Sequence, residues 1–392
     1  MDTQNTPVHV KLWHKEFWYM SIAGLLLSSA MYILVPVMPQ WLTDNCGLST
    51  EAAAIIMGLH GIGVFLLGSL TSYLVQRYRR GRIYLKAVFV LMLSFVAIYY
   101  LKRGIGSVGM FTTLCALRLL QGAFYGEARI VLGSTLIIDT CESDQRTMAN
   151  HSAGWFTRFG LAIGPAVALV VMPLGGIDMV LAVAACMCAT AYLLIAIVKF
   201  PFKAPDDTRL RLSLDRFWLT EGWYTVLNLL PIAAVAGMVL VSGRSLSFYS
   251  MMMCGFFLSL LAQRFLFSSA EPKSEVVSGL LLVLASLAIM TGEHTGTPSA
   301  FAAVLFGCGI GLVCARLLLN LIMQSDHCKR GTAQSTFFLA CEFGVSLGIT
   351  CGYSLFYGRP QQLFTTALCL TAAALALYLI FTHKWFMGHK HR

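Results

Sequence analysis

Residues 109–133 read GMFTTLCALRLLQGAFYGEARIVLG. As a helix this run is long enough to cross a bilayer, which takes about 20 mostly apolar residues. It nevertheless carries Arg118, Glu127 and Arg129. A charge at bilayer depth costs about 2.5–3.5 kcal/mol on insertion scales, so such residues need a partner or a task. Glu127 and Arg129, two positions apart, point in nearly opposite directions and do not pair with each other. The stretch reads as a membrane helix that turns charge inward.

The rest of the chain has the same character. It has 392 residues, 57% hydrophobic and only 12% charged, about half the charged share usual in soluble domains. The segments long enough to span fall near 17–38, 51–75, 83–101, 109–133, 149–172, 177–199, 220–241, 246–267, 275–291, 299–322, 333–356 and 362–382. Twelve spans with short loops leave no room for a large soluble domain. The fold class is therefore an all-α membrane protein with twelve transmembrane helices in two six-helix halves. Twelve cysteines are present, most of them inside apolar segments and none at metal-ligand spacing with His, so they read as small packing residues. No metal site, cofactor or disulfide framework is expected.

The net charge is +10. Lys and Arg gather in alternate loops, including the run Arg77–Lys86 and the polar stretch Lys199–Arg216. Lys and Arg mark the cytoplasmic side of membrane proteins, so both termini are expected there. No basic stretch sits in a soluble domain, and nucleic acid is not an expected partner. The organisation that follows is a cytoplasmic segment 1–16, a first half 17–199, a linker 200–219, a second half 220–382 and a cytoplasmic tail 383–392.

An internal repeat supports the division. GSLTSYLVQRY (residues 68–78) aligns with GFFLSLLAQRF (255–265). The same offset matches Gly122 with Gly309 and Ala128–Arg129 with Ala315–Arg316. A slightly shorter offset matches Gly160-x-x-x-Gly164 with Gly344-x-x-x-Gly348, and Arg158 with Glu342. Parallel halves with substrate held between them near the midplane are a known transporter design.

Three motifs resemble those of the major facilitator superfamily, and the resemblance covers nearly the whole chain. Gln76-Arg77-Tyr78-Arg79-Arg80-Gly81-Arg82 is similar to the basic loop that follows the family's second span. Gln76 stands where the family has an acid, and Arg79 where it has a glycine; that acid helps latch the halves together in one state. Arg118-Leu-Leu-Gln121-Gly122-Ala-Phe-Tyr-Gly126 resembles the fourth-span motif. Gly160-x-x-x-Gly164-Pro165 resembles an element of proton-coupled exporters, with His151 and Ala168–Leu169 departing from its glycines. The resemblance implies proton-coupled export driven by the proton gradient, and a fourth span that lines the central cavity.

Among the charged residues, Arg158 and Glu342 lie roughly 15 Å into their helices, near mid-bilayer. Glu342 is the expected proton-coupling carboxylate, with Glu127 as an alternative. Arg118, Arg158, Tyr32 and Asn228 are the expected cavity residues, and His60 and Gln334 are weaker ones. Arg129 and Arg316 read as anchors. Small-x-x-x-small spacings also allow close helix packing whatever the function, and Pro36, Pro165 and Pro231 are expected to kink their spans.

No GxxxxGK loop is present, which argues against an ATP-driven pump. The scattered His residues argue against a membrane enzyme, and the repeat against a channel or receptor. The leading expectation is a monomeric secondary transporter in a bacterial cytoplasmic membrane, exporting a small organic compound in exchange for protons. The rival is proton-coupled uptake of a metabolite, an anion if Arg118 and Arg158 face it.

Overall fold

The structure is a computed structural model and describes residues 11–101, 107–142, 145–200, 211–242, 245–292 and 299–390. The first ten residues, linker residues 201–210, the final two residues, and Lys102, Arg103 and Arg244, three basic residues between expected spans, lie outside them. No strand occurs among the described residues.

The first half contains α1 (Lys15–Tyr32), α2 (Met38–Asp44), α3 (Thr50–Gly63), α4 (Gly68–Arg77), α5 (Arg80–Leu101) and α6 (Ser107–Val131). A π-helical turn, Leu132–Leu136, and α7 (Ile137–Asp139) follow, and then the long α8 (Arg146–Ile197). The second half contains α9 (Trp223–Ser242), α10 (Leu246–Phe265), α11 (Pro272–Gly292), α12 (Ala300–Gln324), α13 (Arg330–Ser354), α14 (Pro360–Leu377) and α15 (His383–His389). Each expected apolar segment is largely helical, and the first two are interrupted. By length and composition, eight described helices are able to cross a membrane, or nine when one bent pair counts as a span. α8 holds two expected segments, joined at Gly175 and Gly176, where Gly176 adopts φ +62°. Glycine reaches that left-handed region without Cβ strain.

The breaks follow local chemistry in part. α1 ends before Pro36, and α2 begins with Pro39 in its first turn. The second expected span is also broken, into α3 and α4, with a bend of 41°. Proline does not cause this bend. Gly63 packs there directly against the backbone of Gly122.

The packing repeats between the halves. α1 lies on α8 and α9 on α13; α3 lies on α6 and α10 on α12; α5 lies on α8 and α11 on α14. Glycines set the closest approaches. A Cβ on Gly160 would stand 2.6 Å from Ser28 Cβ, and one on Gly164 2.6 Å from the Ser29 carbonyl. Their repeat counterparts do the same work on α9: a Cβ on Gly344 would meet Ala233 at 2.5 Å, and one on Gly348 would strike the Ala234 carbonyl. Backbones this close gain dispersion contacts that lipid tails cannot supply.

The halves meet at two levels. On one, Thr350 Oγ1 lies 3.5 Å from the Ala54 carbonyl, and Tyr353 donates to the Val35 carbonyl at 3.3 Å. The other is the face that carries the start of α1, where His14 Nε2 lies 3.9 Å from Cys141 Sγ within the first half and Trp385 Nε1 of α15 donates to the Glu221 carbonyl beside the second. At this terminal face Gly331 fits against the backbone of Ser134.

Candidate substrate cavity and proton site

A cavity lies between the two levels, walled by α1, α6 and α8 from the first half and by α9, α10, α12 and α13 from the second. It leaves about 80 Å³ open to water-sized molecules. Several waters fit, at roughly 10–15 Å³ each on this measure, and the walls must part to admit an organic substrate. Most of the lining is apolar, with Phe256, Phe337 and Phe338 among it; the charged side chains on the wall are Arg129, Arg158 and Glu342.

Glu342 belongs to the second half but is bedded on the first. Tyr125 of α6 donates to its Oε1 at 3.1 Å. His60 of α3 brings Nε2 to 3.7 Å from Oε2. Tyr32 of α1 shares the cavity wall with it. Behind it, Ser28 Oγ and Tyr125 Oη are 3.1 Å apart. The helix periodicity explains the convergence. Ser28 and Tyr32 are four residues apart on α1 and so share one face, turned toward Tyr125 of α6. A carboxylate at this depth is costly alone and tolerable among donors.

Arg158 faces the same cavity in a different condition. It is 9% exposed, and its guanidinium lies over the rings of Trp155 (4.7 Å) and Phe337 (5.8 Å). None of its three side-chain nitrogens has a hydrogen-bond partner. Arg158 and Glu342 line one cavity yet form no ion pair. Gln334 Oε1, also on the wall, is buried and unpartnered.

Other expected site residues are placed elsewhere. Arg118 donates to Gln121 Oε1 at 2.8 Å, one turn along its own helix, and lies off the cavity wall, close enough to His60 to act on it electrostatically. Glu127 accepts from Thr71 of α4 at 2.5 Å, likewise away from the cavity. Asn228 donates to the Ala374 carbonyl at 2.8 Å and so ties α9 to α14, again off the wall. Arg129, read from sequence as an anchor, lines the cavity while donating to Thr157 Oγ1 at 2.6 Å. Arg316 lies 3.7 Å from Glu275, a buried acid at the start of α11 that the sequence reading passed over.

The motif residues serve packing and pairing. Gly122 and Gly126 leave no space for a Cβ against the α3 end and Val64. Arg77 donates to Tyr73 Oη at 2.8 Å, and Arg80 pairs with Asp139. Pro165 is buried within α8 beside Gly164. Sequence reasoning missed Tyr125 and Ser28, although Tyr125 lies inside the quoted fourth-span motif. A signal existed: two hydroxyls on helices rich in small residues, at the depth of a charge on the opposite half. Among the described residues no group of three or more His, Cys, Asp or Glu side chains is placed to hold a metal ion.

Comparison with known proteins agrees with this architecture. No curated relative matches the sequence. Many solved structures share the fold. A point mutant of the nucleoside transporter NupG aligns at TM-score 0.66 and 13% identity, over 94% of this chain and 100% of that one. A bacterial homologue of the iron transporter ferroportin, in an outward-facing state, aligns at 0.69 and 14%, over 95% and 99%. The human organic anion transporter MFSD10 aligns at 0.64 and 13%, over 93% and 99%. At such identities the likeness is one of fold. The sequence profile of the Major Facilitator Superfamily matches residues 20–349; the chain is a multi-pass membrane transport protein and belongs to that superfamily.

Proposed function

We propose that the chain is a proton-driven secondary transporter working by alternating access, with Glu342 as the proton carrier and His60 as its partner. The observation that carries this is the bedding of Glu342, a second-half residue, on Tyr125 and His60 of the first half. An ionised carboxylate is held there by the first-half hydroxyl of Tyr125. Once protonated it loses charge, its hold on that donor weakens, and the halves are freer to part. The proton thus alters the very contact that alternating access must break. One chain encloses the cavity, which supports a monomer as the working unit. The loop charges support a cytoplasmic position for both termini, in a bacterial cytoplasmic membrane.

The direction we propose is export of a small organic compound in exchange for protons. The Gly160-x-x-x-Gly164-Pro165 element supports it through its resemblance to an element of proton-coupled exporters; its glycines seat α8 on α1 beside Tyr32. Everted vesicles with an acid interior test this. An exporter accumulates substrate inside them and releases protons as it does so; expulsion of substrate along with protons overturns the direction.

Arg158 favours a second reading, uptake of an organic anion together with a proton. A buried guanidinium with no partner fits a carboxylate or phosphate, which it can bind through two parallel hydrogen bonds. A bound anion would draw a proton onto the nearby Glu342, and by linkage the proton would tighten anion binding. On this reading Arg158→Leu raises KM for an anionic substrate by about tenfold or more, the loss of one charge-assisted pair, and leaves neutral substrates unaffected. Equal effects on both classes would set the reading aside.

A further inference from the structure

We infer that residues 213–219 form the gate of the terminal face, with Asp215 doing the work of the acid missing at Gln76. This rests on the transport reading above but not on its direction or on Glu342. The segment binds both halves. Toward the second half, the Arg216 amide donates to Thr332 Oγ1 at 2.9 Å and the Leu219 amide to Thr336 Oγ1 at 2.7 Å. Both hydroxyls lie in the first two turns of α13. Toward the first half, the Ser213 amide donates to the Ser69 carbonyl at 3.0 Å, and Ser72 Oγ donates to Asp215 Oδ2 at 3.2 Å. Ser69 and Ser72 are both in α4.

Packing reinforces the polar contacts. The Phe217 ring occupies the space where Gly68 has no Cβ. Phe65, at the break between α3 and α4, meets the rings of Phe217 (6.3 Å), Trp218 (6.1 Å) and Phe343 (5.8 Å). Arg216 stands at φ +61°, a conformation that residues with a Cβ rarely take unless their surroundings hold them in it.

Opening on this face requires α4 and α13 to separate, and the segment then cannot keep both sets of bonds. It runs directly into α9 of the second half and is bonded to α13, which packs on α9. It therefore travels with the second half. The contacts that break are those to α4: Ser72 with Asp215, and Gly68 and Phe65 with Phe217. Asp215 meets α4 one turn before Gln76, at the seam where the family's acid would act, but it arrives from the linker.

Cys314 and Cys341 line the central cavity and report the gate. The experiment is labelling of the full-length protein in everted vesicles with a membrane-impermeant maleimide, followed by peptide mapping of these two thiols. Asp215→Ala and Ser72→Ala are each expected to speed labelling by threefold or more, and the double variant no further, since both remove the same contact. Rates unchanged in both everted and right-side-out vesicles, or effects that multiply in the double variant, overturn the proposal. Should one single variant fail to elute as a folded monodisperse species, the other decides alone. The same labelling in right-side-out vesicles separates gate from orientation: a rise confined to those vesicles reverses the orientation and leaves the gate standing.

Discussion

Glu342→Gln is expected to uncouple transport. A difference of one pH unit is worth about 1.4 kcal/mol per proton, which supports a tenfold concentration ratio of substrate for each proton moved. In wild-type vesicles the steady-state ratio should follow the imposed gradient. With Gln in place the cavity keeps an amide of nearly the same shape, which accepts from Tyr125 but takes up no proton. The ratio should fall to about one, and the pH profile should be flat. Exchange of labelled for unlabelled substrate at equal pH should persist, because it needs rocking of the halves but no net proton movement. A ratio that still tracks the gradient would remove Glu342 from the proton path and return Glu127 to consideration. His60→Gln should have the smaller effect, since His60 approaches the carboxylate at 3.7 Å without a hydrogen bond.

Gly348→Val is expected to prevent folding of the second half. A Cβ there would strike the Ala234 carbonyl and stand 2.9 Å from the Met238 amide. Both are backbone atoms of α9, which cannot turn aside as a side chain can. Overpacking typically costs about 1–3 kcal/mol where side chains adjust; a rigid backbone neighbour places this case at or beyond the upper end. That is a large share of the roughly 5–15 kcal/mol that holds a typical protein together. Size-exclusion profiles of detergent-solubilised protein should show loss of the monodisperse species. Gly292→Ala, where nothing lies within 4 Å of the added Cβ, should leave the profile unchanged. A folded Gly348→Val protein would mean that α9 and α13 are separable by more than the structure allows.

Much of the fold was legible in order along the chain. Apolar runs mark helices because an unpaired peptide group in hydrocarbon is costly, whatever the neighbours. The repeated glycines predicted matched contacts, and Gly160 and Gly164 on α1 mirror Gly344 and Gly348 on α9. Depth was legible as well: counting residues along a helix placed Arg158 and Glu342 at one level, and both line the cavity. Rotation and partner choice were not legible. Arg118 had the right depth, but its guanidinium turns to Gln121. Asn228 had the right polarity, but it faces α14. The second span is bent without a proline, and Gly63 at the bend meets Gly122 on another helix, a contact that no local pattern shows.

The proposed proton site divides along the same line. That an acid lies deep in the second half, opposite a deep arginine in the first, follows from the sequence alone, because rise per residue is a local property of the chain. That this acid rests on Tyr125 and His60 while the arginine stands without a hydrogen bond was decided only when the helices packed. Those contacts join residues hundreds of positions apart, and their geometry depends on how glycine-lined faces let whole helices approach and rotate.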